Sequence, residues 1–244
     1  MTRRRDSRAA APASRVGSVN PRFAYDLHLC EGHGCVVGAD EAGRGCLAGP
    51  LVAAAVCLDY DRLKAADFAA LEKLDDSKRL SRQARAVLYE EVFRRARHVA
   101  VICRSAQTID RDGLHNSNIA ALATALNAAA EAAGVALVDG FALPVSAPRH
   151  QAVVGGDHES AAIAAASVVA KVTRDTLMTR LHDAFPSYGF DRHVGYATRA
   201  HHQAIVAHGI CELHRRSFAS VAYTQLELQM DDVSRDPSPN NRSE

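Results

Sequence analysis

The stretch CVVGADEAGRGCLAGPLVAAAVCL, residues 35–58, decides how the rest of the chain is read. An apolar run over 35–37 leads into two adjacent carboxylates, Asp40 and Glu41, and then into Gly43-Arg44-Gly45. Gly49-Pro50 turns the chain into a second apolar run over 51–58. The pattern predicts strand, acidic corner, turn, strand. Side chains alternate faces along a strand, so Asp40 and Glu41 point to opposite sides unless the strand is ending, and the glycines on both sides predict that it ends there. Two carboxylates at the end of a buried strand repel and desolvate each other, a cost normally offset by a bound cation. The alternative is a polar turn whose acids face water. The glycines around Arg44 favour a ligand, because they let backbone approach it closely.

Composition sets the bounds. The chain has 244 residues, 48% of them apolar, enough for one well-buried core and compatible with one domain or two. No window reaches the roughly 18 uninterrupted apolar residues of a membrane span. The N-terminal arginines are followed by Pro12 and no apolar core, so the expectation is a soluble, cytoplasmic protein with no membrane role. Six scattered cysteines show no zinc spacing and read as reduced, packed thiols. Net charge is +1; the first 20 residues carry +4 and residues 231–244 carry −2, which leaves −1 on the body. Total charge therefore makes no case for nucleic acid. The segment 171–216, however, sets Lys171, Arg174, Arg180, Arg192, Arg199, Arg215 and Arg216 against Asp175, Asp183, Asp191 and Glu212. A local basic surface opposite an acidic pocket suits a polyanion bridged by metal, although a charge run alone is also what a solvated face looks like.

Taken in order, residues 1–20 have no hydrophobic period and read as a disordered basic arm. A short helix is expected over 21–31, a loose helical segment over 59–74, a helix capped by Ser81 with Val87, Leu88, Val92 and Phe93 at helical spacing, and a strand over 99–103. A helix over 116–133 precedes a strand over 135–138 that delivers Asp139-Gly140, and a strand over 151–154 delivers Gly155-Gly156-Asp157. A long helix runs from 163 to 181, another lies between Thr198 and Gly209, and a last one spans 217–230. Strands alternating with helices predict an α/β domain with a mixed sheet. Three strand ends thus offer carboxylates: Asp40 with Glu41, Asp139, and Asp157. Singly, Asp139 reads equally as an Asp-Gly turn and Asp157 as a helix cap. Together they suit hard divalent cations, which take oxygen ligands and keep several waters.

With these residues in place the sequence resembles the bacterial ribonuclease HII family over about residues 21–225. The resemblance is carried by GADEAGRGCLAGP (38–50), DDSKRLS (75–81), LVDG (137–140), VVGGD (153–157), AAASVVAKVTRD (164–175), FPSYGFDRHVGYAT (185–198) and HRRSF (214–218). It implies a ribonuclease H-like mixed five-stranded sheet flanked by helices, with a C-terminal helical region, inside a 21–230 catalytic domain; beyond the resemblance, residues 231–244 read as a disordered acidic tail. It implies an endonuclease that cuts 5′ to a ribonucleotide in RNA–DNA hybrids or embedded in duplex DNA, leaving 3′-hydroxyl and 5′-phosphate ends. The implied cofactors are two Mn²⁺ or Mg²⁺ ions per site with substrate, and the family's four catalytic, metal-holding acids match Asp40, Glu41, Asp139 and Asp157. The backbone that reads the ribose 2′-hydroxyl matches Gly43, Arg44 and Gly45, and the junction tyrosine matches Tyr196. Lys78, Lys171 and Arg216 match phosphate contacts.

One departure stands out: the family's I-D-x-x-N-I appears as Ile109-Asp110-Arg111-Asp112-Gly113-Leu114, leaving Asn116 and Asn118 as replacements that are kept out of the site. Glu159 is a nearby competitor of Asp157 for metal. Residues 225–230, QLELQM, also resemble the short peptide with which bacterial repair proteins dock on the sliding clamp, with Met230 where an aromatic is usual. The competing readings are a binding module whose acids are structural, and a ribonuclease H of the other type that needs several consecutive ribonucleotides.

Overall fold

The computed structural model describes residues 20–31, 34–74, 80–130, 134–144 and 146–218. Its five strands are β1 (Cys35–Ala42), β2 (Leu51–Asp59), β3 (His98–Arg104), β4 (Val135–Asp139) and β5 (Gln151–Val153), in the spatial order β3-β2-β1-β4-β5. β1 runs parallel to β4, with Val36 opposite Val135 through to Ala39 opposite Val138. β4 runs parallel to β5, with Leu137 opposite Gln151 and Asp139 opposite Val153. The mixed five-stranded sheet is flanked by helices, as expected. The helices are α1 (Pro21–Leu29), α2 (Ala65–Ala70), α3 (Arg82–Arg95), α4 (Ala106–Asp112), α5 (Leu114–Ala129), α6 (Gly156–Glu159), α7 (Ala161–Ala184), α8 (Phe190–His193) and α9 (Arg199–His208).

The contacts divide the chain into two units. Of the described residues, the first takes those up to Glu41 with Ala53–Ile102 and Ile119–Val172; the second takes Ala42–Val52, Cys103–Asn118 and those from Thr173 to Phe218. Every residue of β2 is buried, the reason it reads as an apolar run rather than an alternation. Val37, Ala39, Ala53, Ala55 and Cys57 pack with Leu122, Ala125 and Leu126 of α5 and with Val138. Gly38 explains why α7 can start so close to β1: a Cβ there would lie 2.1 Å from the amide nitrogen of Ile163. In the second unit Met178, Tyr188, Phe190 and Val194 form the core with Ala48.

Several expectations shift in detail. β1 continues through Asp40 and Glu41 to Ala42 instead of stopping at the carboxylates. Gly113, at φ +81°, separates α4 from α5, so α5 starts at Leu114 rather than 116. Asp157 sits in its own short helix, α6, which the extended Ser160 divides from α7. Phe93 and Val87 fall on the exposed side of α3, while Leu88 and Val92 are buried. Of the helix expected over 217–230, the described part is a 3-10 turn at Arg216–Phe218. The expected arm lies outside the described residues except for Asn20, which is buried, accepts from the Arg22 amide and caps α1. The acidic tail over 231–244 also lies outside them.

The start of α7 is held by a buried acid. Asp26 Oδ2 accepts from the Ala162 amide at 2.9 Å and from the Tyr60 hydroxyl at 2.8 Å. Burial raises its pKa from 3.8 to about 6, against the lowering effect of bonds from Ser160, Tyr60 and the Ala162 and Ala161 amides. The folded chain therefore keeps a proton on Asp26 that the unfolded chain has lost. The stability this adds is fully present below the unfolded value and vanishes as the pH rises through about 6. Urea unfolding at pH 5 and pH 7.5 should show the parent losing about 1 kcal/mol more over that interval than Asp26→Asn. Equal losses in the two proteins would contradict this account of Asp26.

Candidate active site

Parallel strands end on the same edge of a sheet, and here three of them bring carboxylates to it. One residue beyond the Ala39–Val138 pair come Asp40 on β1 and Asp139 on β4, and β5 leads through Val154 and Gly155 to Gly156 and Asp157 of α6. Asp40 is 7% exposed. Its Oδ1 accepts from the Glu41 amide at 2.6 Å, and Ser167 of α7 supplies a side-chain hydrogen bond. Burial first, then the charge of Glu41, and also that of Asp139, hold the Asp40 carboxyl well above its ordinary pKa, with the Ser167 bond working the other way. Asp139 Oδ1 accepts from the Gly156 amide at 2.7 Å. Glycine at 156 leaves room for this approach: a Cβ there would lie 2.5 Å from the Ile163 Cδ1 tip and 3.3 Å from Asp139 Oδ1. Asp157 is buried, and its carbonyl accepts from Arg22 Nε at 2.9 Å. His158 Nε2 lies 3.9 Å from its Oδ1. Glu159, the competitor, is exposed.

This first-unit cluster is a set of hard oxygen donors whose mutual repulsion a cation would relieve. Among the described residues no group of three or more His, Cys, Asp or Glu side chains is arranged to hold an ion alone. The donors fit an ion of the Mg²⁺ or Mn²⁺ kind that is held by pairs of carboxylates and completed by water or phosphate. Lys171, on α7 in the same unit, is half-buried; Lys78 lies outside the described residues.

The second unit holds the other candidate residues. Arg44 and Gly45 are exposed at the tip of the loop that follows β1, and nothing lies within 4 Å of where a Gly45 Cβ would be. Gly43 has φ +94°, and a Cβ on it would meet Arg174 Nε at 2.1 Å. Arg174 is fully buried and donates to three carbonyls: Nε to Pro50 at 2.9 Å, Nη1 to Val194 at 2.9 Å and Nη2 to Ala48 at 3.0 Å. Its guanidinium carbon lies 5.6 Å from the centre of the Tyr196 ring. Arg215, also fully buried, donates from Nε and Nη2 to Gly49 O and from Nη1 to Arg44 O. Burial lowers its pKa to about 10. Tyr196 is 37% exposed and Arg216 is exposed. The Asp110 carboxylate accepts from the Arg216 and Ser217 amides, both at 2.9 Å, and from the Ser217 hydroxyl.

Sequence reasoning named the acids but missed Ser167, which supports Asp40, and missed Arg174, Arg215 and Asp110, which hold the loop after β1 and the segment of Arg216 within the second unit. Ser167 had a signal, a lone hydroxyl inside the apolar run 161–170. Arg174 and Arg215 had none, because an arginine that satisfies only backbone carbonyls looks in sequence like any surface cation. Asp110 stands in the departing I-D-x-x-N-I segment, where nothing in the spacing pairs it with Arg216 and Ser217 more than a hundred residues away. Asn116 donates to the Asp112 carbonyl at 3.0 Å, and Asn118 is fully buried with no side-chain hydrogen bond among the described residues.

Comparison with known proteins identifies the family. The family model for ribonuclease HII matches residues 37–221. A ribonuclease HII of Xanthobacter autotrophicus is 46% identical over 219 residues, which cover 89% of this chain and 85% of the relative. Among solved structures, the PCNA:RNase HII complex from Archaeoglobus fulgidus matches with a TM-score of 0.61 and 28% identity, covering 74% of this chain and 93% of that one. Bst-RNase HIII in complex with Mn²⁺ matches in fold, with a TM-score of 0.59 and 22% identity, covering 86% of this chain and 73% of that one. The chain belongs to the ribonuclease HII family and is a ribonuclease H enzyme.

Proposed function

We propose that this ribonuclease H, acting on RNA–DNA hybrids, also cuts duplex DNA at a single embedded ribonucleotide, hydrolysing the phosphodiester on its 5′ side to leave a 3′-hydroxyl and a 5′-phosphate. Removal of misplaced ribonucleotides during DNA repair is the corresponding role. The observation that carries the proposal is the buried Asp40, crowded by the charges of Glu41 and Asp139. In this reading Asp40, Glu41, Asp139 and Asp157 would hold two Mg²⁺ or Mn²⁺ ions together with the scissile phosphate. Ions so placed supply an activated water and stabilise the departing oxygen. A manganese complex of the Bst-RNase HIII neighbour supports the choice of metal.

The chain's own residues supply recognition. The ribose 2′-hydroxyl distinguishes RNA from DNA, and backbone can bond to it only where no side chain intrudes. The exposed Arg44-Gly45 tip, with open space at Gly45, meets that need, and along the chain it follows Glu41 by only a few residues. Tyr196 stacks at the junction between ribonucleotide and deoxyribonucleotide. Lys78, Lys171 and Arg216 contact phosphates and set the register of the duplex without reading bases. This apparatus favours the single-ribonucleotide reading over a ribonuclease H that needs a longer RNA run. Residues 225–230 are a candidate clamp-docking peptide; they lie outside the described residues, and the Archaeoglobus complex with PCNA is the support for a clamp contact.

The test is a duplex with one ribonucleotide, incubated with and without Mg²⁺ or Mn²⁺, the cut being mapped at nucleotide resolution. A metal-dependent nick 5′ to the ribonucleotide is expected, whereas cleavage of a longer RNA–DNA hybrid with no product from this duplex would favour a ribonuclease H that needs several consecutive ribonucleotides. Asp40→Asn should abolish the nick while substrate binding in a gel-shift assay stays close to the parent's. Nicking at the parent's rate would remove Asp40 from the site. Tyr196→Ala should slow cleavage of this substrate roughly ten- to a hundredfold, the scale of losing one stacked base contact. A variant as fast as the parent would count against the junction role.

A further inference from the structure

Within the second unit, the segment carrying Tyr196 is tied to the segment carrying Arg215 and Arg216 by a chain of side chains that no motif announced. Tyr196 O accepts from the Thr198 amide and lies 2.9 Å from His201 Nδ1. His201 Nε2 lies 3.1 Å from His214 Nε2. His214 Nδ1 in turn lies 3.0 Å from the Cys211 amide nitrogen and 3.2 Å from its Sγ. His201 and His214 are 0% and 2% exposed, and His193 stacks on His201 with ring centres 4.4 Å apart.

The partners fix every proton in this chain. A carbonyl only accepts, so His201 carries its proton on Nδ1. The Cys211 amide only donates, so His214 Nδ1 is bare. The two Nε2 atoms then share one proton, which must belong to His214. Both rings are neutral, with opposite tautomers. A second proton on either would set two N–H groups against each other, and burial accordingly pushes His201 down to about 4 and lowers His214. His193 follows the same logic: its Nε2 lies 2.7 Å from Tyr188 O and its Nδ1 accepts from the Gly195 amide at 3.3 Å, next to Tyr196.

We propose that His201 and His214 are positioning residues of the substrate site: a pair of imidazoles with fixed, opposite tautomers that holds the Tyr196 peptide to the segment bearing Arg215 and Arg216. They touch no substrate and act through Tyr196. The proposal rests on the reading of Tyr196 as a substrate contact.

Two measurements test it. Nitrogen-15 NMR of the parent at pH 7, with signals assigned through single-histidine variants, should find His201 as the Nδ1–H tautomer and His214 as the Nε2–H tautomer. An imidazolium, or the same tautomer on both, overturns the proposal. The second is a cycle of variants cleaving the single-ribonucleotide duplex. His201→Leu should lower kcat/KM by about tenfold or more, and His201→Asn, whose amide can replace Nδ1–H, should recover most of it. Combined with Tyr196→Ala, His201→Leu should add no further loss, because both remove the same contact. Multiplying losses would mean that His201 supports the fold at large, and the proposal falls. If Tyr196→Ala alone costs nothing, the reading of Tyr196 fails first and takes this one with it, a result distinguishable from the additive one.

Discussion

Parallel pairing of β1 with β4 and of β4 with β5 is the constraint on which the carboxylate cluster depends. It brings the strands' C-terminal ends to one edge, so acids far apart in sequence meet there whatever their mutual repulsion. The sheet provides the burial that makes the repulsion costly, and Asp40 shows the result in a carboxyl held well above its ordinary range. Such an arrangement persists when function needs it and surrounding packing over-determines it. The packing is visible: Gly38 admits the start of α7 next to β1, and α7 then delivers Ser167 to Asp40.

The second unit solves the opposite problem, two buried cations. Arg174 and Arg215 donate to backbone carbonyls of the loop between β1 and β2, and Arg174 to Val194 as well. Hydrogen bonds to a charged group are worth about 1.5–3 kcal/mol each, which is the scale needed to offset removing a guanidinium from water. The same bonds fix the loop's path, since any side chain at Gly43 would collide with Arg174. Arginine is suited to this role because its planar fork reaches several carbonyls at once, which a lysine ammonium on a single stem does less well.

What could be read in the sequence followed from periodicity and end signals. β2 was legible as an apolar run, α3 and α9 through the caps Ser81 and Thr198, and the acids because each ends a strand or begins a helix. The end of β1 was not legible because glycine beside a carboxylate pair reads as a stop, whereas the ladder continues to Ala42 and the turn comes after it. The split between α6 and α7 was hidden because Ser160 is neither glycine nor proline. The histidine pair was illegible for a different reason: His201 and His214 belong to separate motifs, and only the fold makes their Nε2 atoms neighbours.

The central claim is that the carboxylate edge works on the scissile phosphate through bound divalent ions. The most direct test replaces one non-bridging oxygen of that phosphate, 5′ to the single ribonucleotide, by sulfur and compares Mg²⁺ with Mn²⁺. Mg²⁺ binds sulfur poorly and Mn²⁺ tolerates it, so the account predicts that at least one phosphorothioate diastereomer is cut slowly in Mg²⁺ and recovers in Mn²⁺. If both diastereomers are cut in Mg²⁺ as fast as the oxygen substrate, no ion touches that phosphate and the account is wrong.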